Sequence, residues 1–80
     1  MIMKSYEKLF ETAKVEMLKQ MRANEDKTGW ENIEGDVVSQ GIIHNMEMIS
    51  QSESIEEAIR CFANIANFAA MGIYVMKEGD

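Results

Sequence analysis

The residues best suited to chemistry lie in the second half of the chain, in pairs spaced three apart. His44 and Glu47 form one such pair, and Cys61 and Asn64 form the next. Residues three apart share a face of a helix. Imidazole, carboxylate and thiolate groups bind transition metals such as zinc, so His44, Glu47 and Cys61 are candidate metal ligands if the two faces meet. The plainer interpretations also stand: His44 as a solvated histidine, and Cys61 as a small buried apolar residue.

Two amides and one cation form a polar stripe in the same region. At about 100° per residue, Arg60, Asn64 and Asn67 fall on one narrow side of a helix. Amides on an otherwise apolar helix need hydrogen-bond partners, so this stripe indicates either a network that sets subunit register or a ligand cavity. Arg60 either pairs with Glu56, Glu57 or an acid of a partner, or contacts a phosphate.

A polar loop at residues 26–32 contains the single tryptophan, Trp30. The Trp30 indole could stack on a nucleobase, and Lys27 in the same loop could meet a phosphate. The alternative for Trp30 is a lid that folds down onto the core. The sequence has no nucleophile elbow, phosphate-cradling glycine loop or zinc-finger spacing, so we assign no catalytic residue.

The element that must position the amide stripe is a long helix predicted over residues 55–77. Ser54 and Glu57 have the spacing of a capping box, which marks a helix start. Apolar residues and alanines cover nearly all the rest of its circumference, so we expect it at the buried centre of a helical assembly. Its three polar residues and short apolar length argue against a membrane span.

Two further helices are predicted, over residues 4–23 and 36–51. Short connections between the three helices favour antiparallel neighbours within one domain, residues 1–80. The fold class we predict is therefore all-α, a three-helix protomer. The third helix has more apolar surface than two partners of this size can cover, so we expect a homodimer or higher oligomer that completes a larger helical bundle.

Composition and charge limit the function classes. The 80 residues are 46% hydrophobic and include no proline, which suits helices. A net charge of −6 argues against nucleic-acid binding, although a small nucleotide remains possible. One cysteine and an N-terminus without a secretion-signal layout lead us to expect a cytoplasmic protein.

Two segments resemble the MazG-like nucleotide pyrophosphohydrolases. Residues 22–32, RANEDKTGWEN, resemble the arginine-to-GlyTrpGluAsn stretch before the first catalytic helix of that family. Residues 63–71, ANIANFAAM, resemble its Ala-Asp-Val-Ala-Asn-Phe-Ala-x-Met helix. Order and spacing agree, and the similarity covers about residues 20–76. The resemblance implies an all-α oligomer that uses magnesium to hydrolyse nucleoside triphosphates to monophosphate and pyrophosphate.

The resemblance also implies a changed metal site. In the register set by Trp30 and Asn67, the family's acidic ligand positions hold residues of which only Glu47 is a carboxylate; they are Ile43, His44, Glu47, Cys61 and Asn64. Magnesium requires several charged oxygen ligands when it bridges phosphates. We therefore expect no magnesium bound in the family's manner and no hydrolysis of the family type; the identity of any cofactor stays open.

The hypothesis that follows is a small oligomer that binds a nucleotide or nucleotide-derived signal on a catalytically degenerate MazG-like scaffold. Its candidate ligand-binding residues are Lys27, Trp30, His44, Glu47, Arg60, Asn64 and Asn67. Sequestration of a signalling nucleotide would suit a phage protein directed against a nucleotide-signalling defence. Two alternatives stay open: a module that binds and inhibits a host protein, and a surviving metal-dependent pyrophosphohydrolase.

Overall fold

The computed structural model describes residues 2–24 and 29–79 of the chain. Three α-helices span Ile2–Ala23 (α1), Gly35–Ser50 (α2) and Ile55–Glu78 (α3), and a short 3₁₀ turn covers Trp30–Asn32. All regular secondary structure in the described residues is helical, which confirms the all-α prediction. Compared with the prediction, α1 begins two residues earlier, α2 lies one residue earlier at both ends, and α3 ends one residue later.

The start of α3 is fixed by the predicted capping box. Ser54 Oγ accepts a hydrogen bond from the Glu57 backbone N–H at 3.1 Å. Glu57 Oε2 in return accepts from the backbone N–H of Glu53 at 3.1 Å, one residue before the usual partner. Both bonds satisfy backbone donors that would otherwise be free at a helix start.

The helix α3 is the central element of the protomer. It packs against α1, α2 and the 3₁₀ turn, whereas α1 and α2 do not pack against each other within the described residues. The three helices therefore form an open arrangement in which α1 and α2 flank α3. A gap between the two outer helices lies over α3.

Within the protomer, α3 turns its polar side inward and its aliphatic face outward. Its amide stripe points inward, and Asn67 is buried, whereas Ile55, Ile73 and Met76 are 79%, 61% and 85% exposed. Cys61 and Ala63 are the only hydrophobic residues classed as buried in the described part of the chain. Within one protomer, α1 and α2 occupy the polar side of α3, and the aliphatic face is left for the predicted oligomer to cover.

By length and composition alone, α3 could cross a membrane, and only 17% of its apolar stretch is buried inside the protomer. The core helix of a soluble protein meets the same two criteria, so this is weak support for a span. The side chains of Asn64 and Asn67 are hydrogen-bonded to α2 and α1, so α3 is attached to both other helices of the protomer.

The closest approach between α2 and α3 depends on a glycine. A Cβ atom placed on Gly41 would lie 2.5 Å from two ring atoms of Phe68. A Cβ on Gly72 would lie 3.7 Å from Val38 Cγ1, an ordinary contact. The missing side chain at Gly41 therefore lets the Phe68 ring sit directly on the α2 backbone.

Candidate functional site

The gap between α1 and α2 forms a partly open cavity of about 630 Å³. All three helices and the 3₁₀ turn contribute to it, within the size range of small-molecule sites. Its lining residues are Gln20, Met21, Asn24, Gly29, Trp30, Glu31, Ile33, Val37, Asn45, Asn64, Asn67, Phe68 and Met71.

The deep end of this cavity is polar. Among the lining residues, only Asn45 and Asn67 are classed as buried, at 6% and 7% exposure. The apolar residues of the lining, including Phe68 and Met71, are half-buried or exposed. The cavity thus has mainly apolar walls and buried amides at its base, the usual composition of a specific ligand site.

A chain of hydrogen bonds fixes the orientation of the Asn45 and Asn64 amides. Asn45 Nδ2 donates to the Gly41 carbonyl at 2.8 Å, and Asn64 Nδ2 donates to Asn45 Oδ1 at 3.2 Å. A backbone carbonyl can only accept, so Gly41 requires the nitrogen of Asn45 on its side. Asn45 then presents its oxygen to Asn64, which must donate and turns its own oxygen away.

Asn67 is oriented in the same way from the opposite side. Its Nδ2 donates to the Met17 carbonyl of α1 at 3.0 Å. The Oδ1 atoms of Asn64 and Asn67 have no hydrogen-bond partner among the described residues. No buried side-chain nitrogen or oxygen in that part of the chain lacks a partner, so both oxygens keep contact with solvent. Asn64 and Asn67 both line the larger cavity, so their two solvent-accessible oxygens are its candidate hydrogen-bond acceptors.

Trp30 forms part of the cavity wall. The preceding Gly29 has φ 95°, a left-handed conformation that suits glycine, and it turns the chain into the 3₁₀ turn. The Trp30 ring packs edge-on against Tyr74 of α3, with centroids 5.2 Å apart and planes at 66°. Trp30 also lines the cavity, so it is held by α3 and available to a ligand.

A second cavity of about 380 Å³ lies beside the first, between the end of α2 and the start of α3. His44, Arg60 and Cys61 line it, and it shares Asn45 and Asn64 with the larger cavity. Arg60 has no ion-pair or hydrogen-bond partner among the described residues, so its predicted pairing with Glu56 or Glu57 is not formed within the protomer. The smaller cavity therefore contains an available guanidinium.

The candidate metal site is not assembled within the described residues. Cys61 is buried and lines the smaller cavity with His44, whereas Glu47 is exposed and lines neither cavity. No group of three or more His, Cys, Asp or Glu side chains there could hold a metal ion. The predicted set His44, Glu47 and Cys61 gains no support.

The other predicted site residues divide between the two cavities. Trp30 and Asn67 line the larger one, Arg60 lines the smaller, and Asn64 lines both. Lys27 lies outside the described residues.

Asn45 is a lining residue that the sequence did not predict. Helical periodicity predicts an apolar ridge on α2 through Val38, Ile42, Met46 and Ile49, but Met46 is 58% exposed. Asn45 lies seven residues after Val38 and four before Ile49, so helical spacing places it on this ridge. A buried amide on such a ridge is the signal that would have identified it.

Comparison with protein-family models, curated proteins and solved structures finds no match to this chain. The MazG-like resemblance therefore stays a prediction. The two cavities and the exposed surfaces of the protomer are the features that point to a function.

Proposed function

We propose that this protein binds a nucleotide or nucleotide-derived signal without hydrolysing it, and does so as a homo-oligomer. The observation that carries the proposal is the cavity of about 630 Å³, with Trp30 in its wall and oriented amides at its base. Aromatic and apolar walls suit a flat base, and fixed amides give it hydrogen-bond specificity.

The charges of the two cavities favour one direction of binding. The described lining of the larger cavity has no basic side chain and one acidic one, Glu31, so it suits an uncharged base better than a phosphate. The smaller cavity has one basic side chain, Arg60, and one acidic side chain, Glu57. Arg60 has no partner among the described residues, so its guanidinium is free to bind phosphate by charge-assisted hydrogen bonds. A nucleotide lying across Asn45 and Asn64 would place its base in one cavity and its phosphate in the other.

We propose binding without hydrolysis because the described lining of each cavity has a single carboxylate, Glu31 in the larger and Glu57 in the smaller. At the positions where the resemblance places metal ligands, the carboxylate Glu47 is exposed and lines neither cavity. Magnesium-assisted phosphoryl chemistry requires several oxygen ligands beside the phosphates. Sequestration of a signalling nucleotide, as a phage would use against a host defence, requires binding alone.

The exposed face of α3 supports the oligomeric part of the proposal. Seven apolar residues lie along this face, separated alternately by four and three positions: Ile55, Ile59, Phe62, Ala66, Ala69, Ile73 and Met76. All are exposed except the half-buried Ala66. A repeat of 3.5 residues is the pattern of helices that pair as coiled coils. We name these residues the α3 seam and propose that a second copy of α3 covers it, with the alanines at the point of closest approach.

The alternative function, binding to a host protein, would use a second exposed surface. In α1, Tyr6, Leu9 and Phe10 are 58%, 58% and 67% exposed, on the same face as the half-buried Met17 and Met21. The apolar ridge of α1 thus extends beyond its contact with α3. It could complete a larger homo-oligomer or receive another protein.

A thermal-shift panel tests the proposal. Nucleoside triphosphates, monophosphates and cyclic dinucleotides are added with and without magnesium while pyrophosphate release is followed. A ligand at about a hundred times its Kd adds roughly 2.7 kcal/mol, several degrees for a chain of this size. We expect stabilisation without release. Release would establish an enzyme, and a melt that no nucleotide shifts would favour the protein-binding alternative.

Two matched variants locate the phosphate. Arg60→Gln is expected to weaken nucleotide binding about tenfold, because it removes the guanidinium of the smaller cavity. Arg22→Gln makes the same change at an exposed residue that lines neither cavity, and should leave the affinity unchanged. Equal affinities for both variants would contradict the assignment of the phosphate to the smaller cavity.

A further inference from the structure

We infer that the larger cavity selects a purine that bears an exocyclic amino group, read by Asn64 Oδ1 and Asn67 Oδ1. The inference rests on the proposed function, since it assigns a base to this cavity. It names the feature of the base that the site recognises: a hydrogen-bond donor rather than an acceptor.

Hydrogen bonds inside the protomer fix the direction of both amides. Each amide nitrogen is held by an acceptor inside the protomer: Asn45 Oδ1 for Asn64, and the Met17 carbonyl for Asn67. Turning either amide over would bring two oxygens together and lose a hydrogen bond. The oxygens of Asn64 and Asn67 therefore keep their orientation as acceptors, and we assign both to the larger cavity, which the two residues line.

The second argument is burial. Asn67 is 7% exposed, so a ligand that fills the cavity removes the remaining water from its oxygen. A ligand with an N–H at this point replaces the lost hydrogen bond. A ligand with a carbonyl there, or with no polar group, leaves an unpaired acceptor, and sites of this kind discriminate strongly against such analogues.

The third argument is the shape of the surroundings. Trp30, Phe68 and Met71 provide aromatic and apolar surface for a flat ring. An exocyclic amino group carries two N–H donors, which matches the number of free acceptors. An amino-bearing purine combines both properties.

Two pairs of 5′-monophosphates test the inference, because each pair differs by one amino group at constant charge. The first pair is AMP and purine riboside monophosphate, and the second is GMP and IMP. Trp30 is the single tryptophan of the chain and lines the cavity, so its fluorescence reports binding, with calorimetry as a second readout. In at least one pair, whichever presents its amino edge to the amides, we expect the amino form to bind ten times more tightly or better.

Variants of the protein connect this ratio to the amides. Asn64→Ala removes a half-buried acceptor and should reduce the ratio to below about threefold. Asn32→Ala makes the same change at an exposed residue outside both cavities, and should keep the full ratio. The ligand pairs require no variant, so the test survives if Asn67→Ala fails to fold.

The outcomes separate this inference from the proposed function. If all four monophosphates bind within threefold of one another, donor selection is wrong and nucleotide binding stands. If Asn64→Ala keeps the full ratio, the amino group is read elsewhere. If none of them binds while a nucleotide of the thermal-shift panel that lacks an amino purine does, selection of an amino purine is again overturned. Absence of binding by any nucleotide overturns both.

Discussion

At the scale of single residues, Asn67 combines a structural bond with a free acceptor. Its nitrogen donates to Met17 and so joins α3 to α1, while its oxygen remains available in the cavity. A buried amide that used both groups internally would serve packing alone. The division of Asn67 between the two uses is therefore what makes the amide stripe a candidate binding surface.

A prediction at the residue scale concerns the start of α3. Ser54→Ala removes the acceptor of the Glu57 N–H and should lower the free energy of unfolding by about 1 kcal/mol. For a chain of this size, that is a fall in Tm of roughly 4–8 °C at matched protein concentration. Ser39→Ala, at an exposed position inside α2, is the control and should not lower the Tm. Equal Tm values for both variants would show that the cap contributes nothing.

Residue-scale features were predictable from sequence where the chemistry was local. The capping box depends on spacing alone and was predicted, and Asn64 and Asn67 stood out as amides on an apolar helix. Asn45 was not predicted, since its role depends on a hydrogen bond from Asn64 of α3 to its own oxygen on α2. The absence of an ion pair between Arg60 and Glu56 or Glu57 was also not predictable. An exposed arginine gains little from an ion pair, and sequence spacing does not decide its rotamer.

At the scale of elements, the sequence indicated three helices but not which face of α3 points inward. The aliphatic face is the stronger hydrophobic signal, so it was expected to be buried. In the protomer the amide face contacts α1 and α2 instead, and this choice depends on Asn45 and on the carbonyl of Met17. Such long-range partners are invisible to helical periodicity.

Two glycine substitutions test the packing of α2 on α3. Gly41→Ala should lower the free energy of unfolding by about 1–2 kcal/mol, because overpacking against Phe68 outweighs the better helix propensity of alanine. Gly72→Ala meets only an ordinary contact with Val38 and should be neutral or gain up to about 1 kcal/mol. Chemical denaturation of both variants measures the difference. A Gly41→Ala protein as stable as wild type would mean that the two helices are less closely packed.

At the scale of the whole molecule, one protomer buries very little apolar surface. An 80-residue chain has a marginal core in any case, and here many large apolar side chains of α1 and α3 are exposed. The α3 seam was readable from sequence as an alternation of four and three residues, but periodicity alone does not separate an internal face from an external one. Only the position of α1 and α2 shows that the seam is left uncovered.

The final prediction tests whether a second copy covers that seam. In solution the chain should have a mass of at least twice its 9.1 kDa, measured by light scattering after size exclusion. Ile73→Glu should give the 9.1 kDa monomer, because Ile73 is 61% exposed in the protomer but would be buried in the pair. In a two-fold interface each substitution occurs twice, and an unpaired buried charge costs several kcal/mol. The Kd of the dimer should therefore rise at least about a hundredfold.

Val15→Glu is the matched control, since Val15 is 57% exposed on α1 and makes the same change in charge away from the seam. It should keep the wild-type mass, and circular dichroism should show that both variants retain their helices. If Ile73→Glu also keeps the wild-type mass, the copies meet through another surface, with the α1 ridge the next to test. A wild-type chain that stays at 9.1 kDa would instead assign the seam to a different protein, because this much exposed apolar surface is typical of an interface.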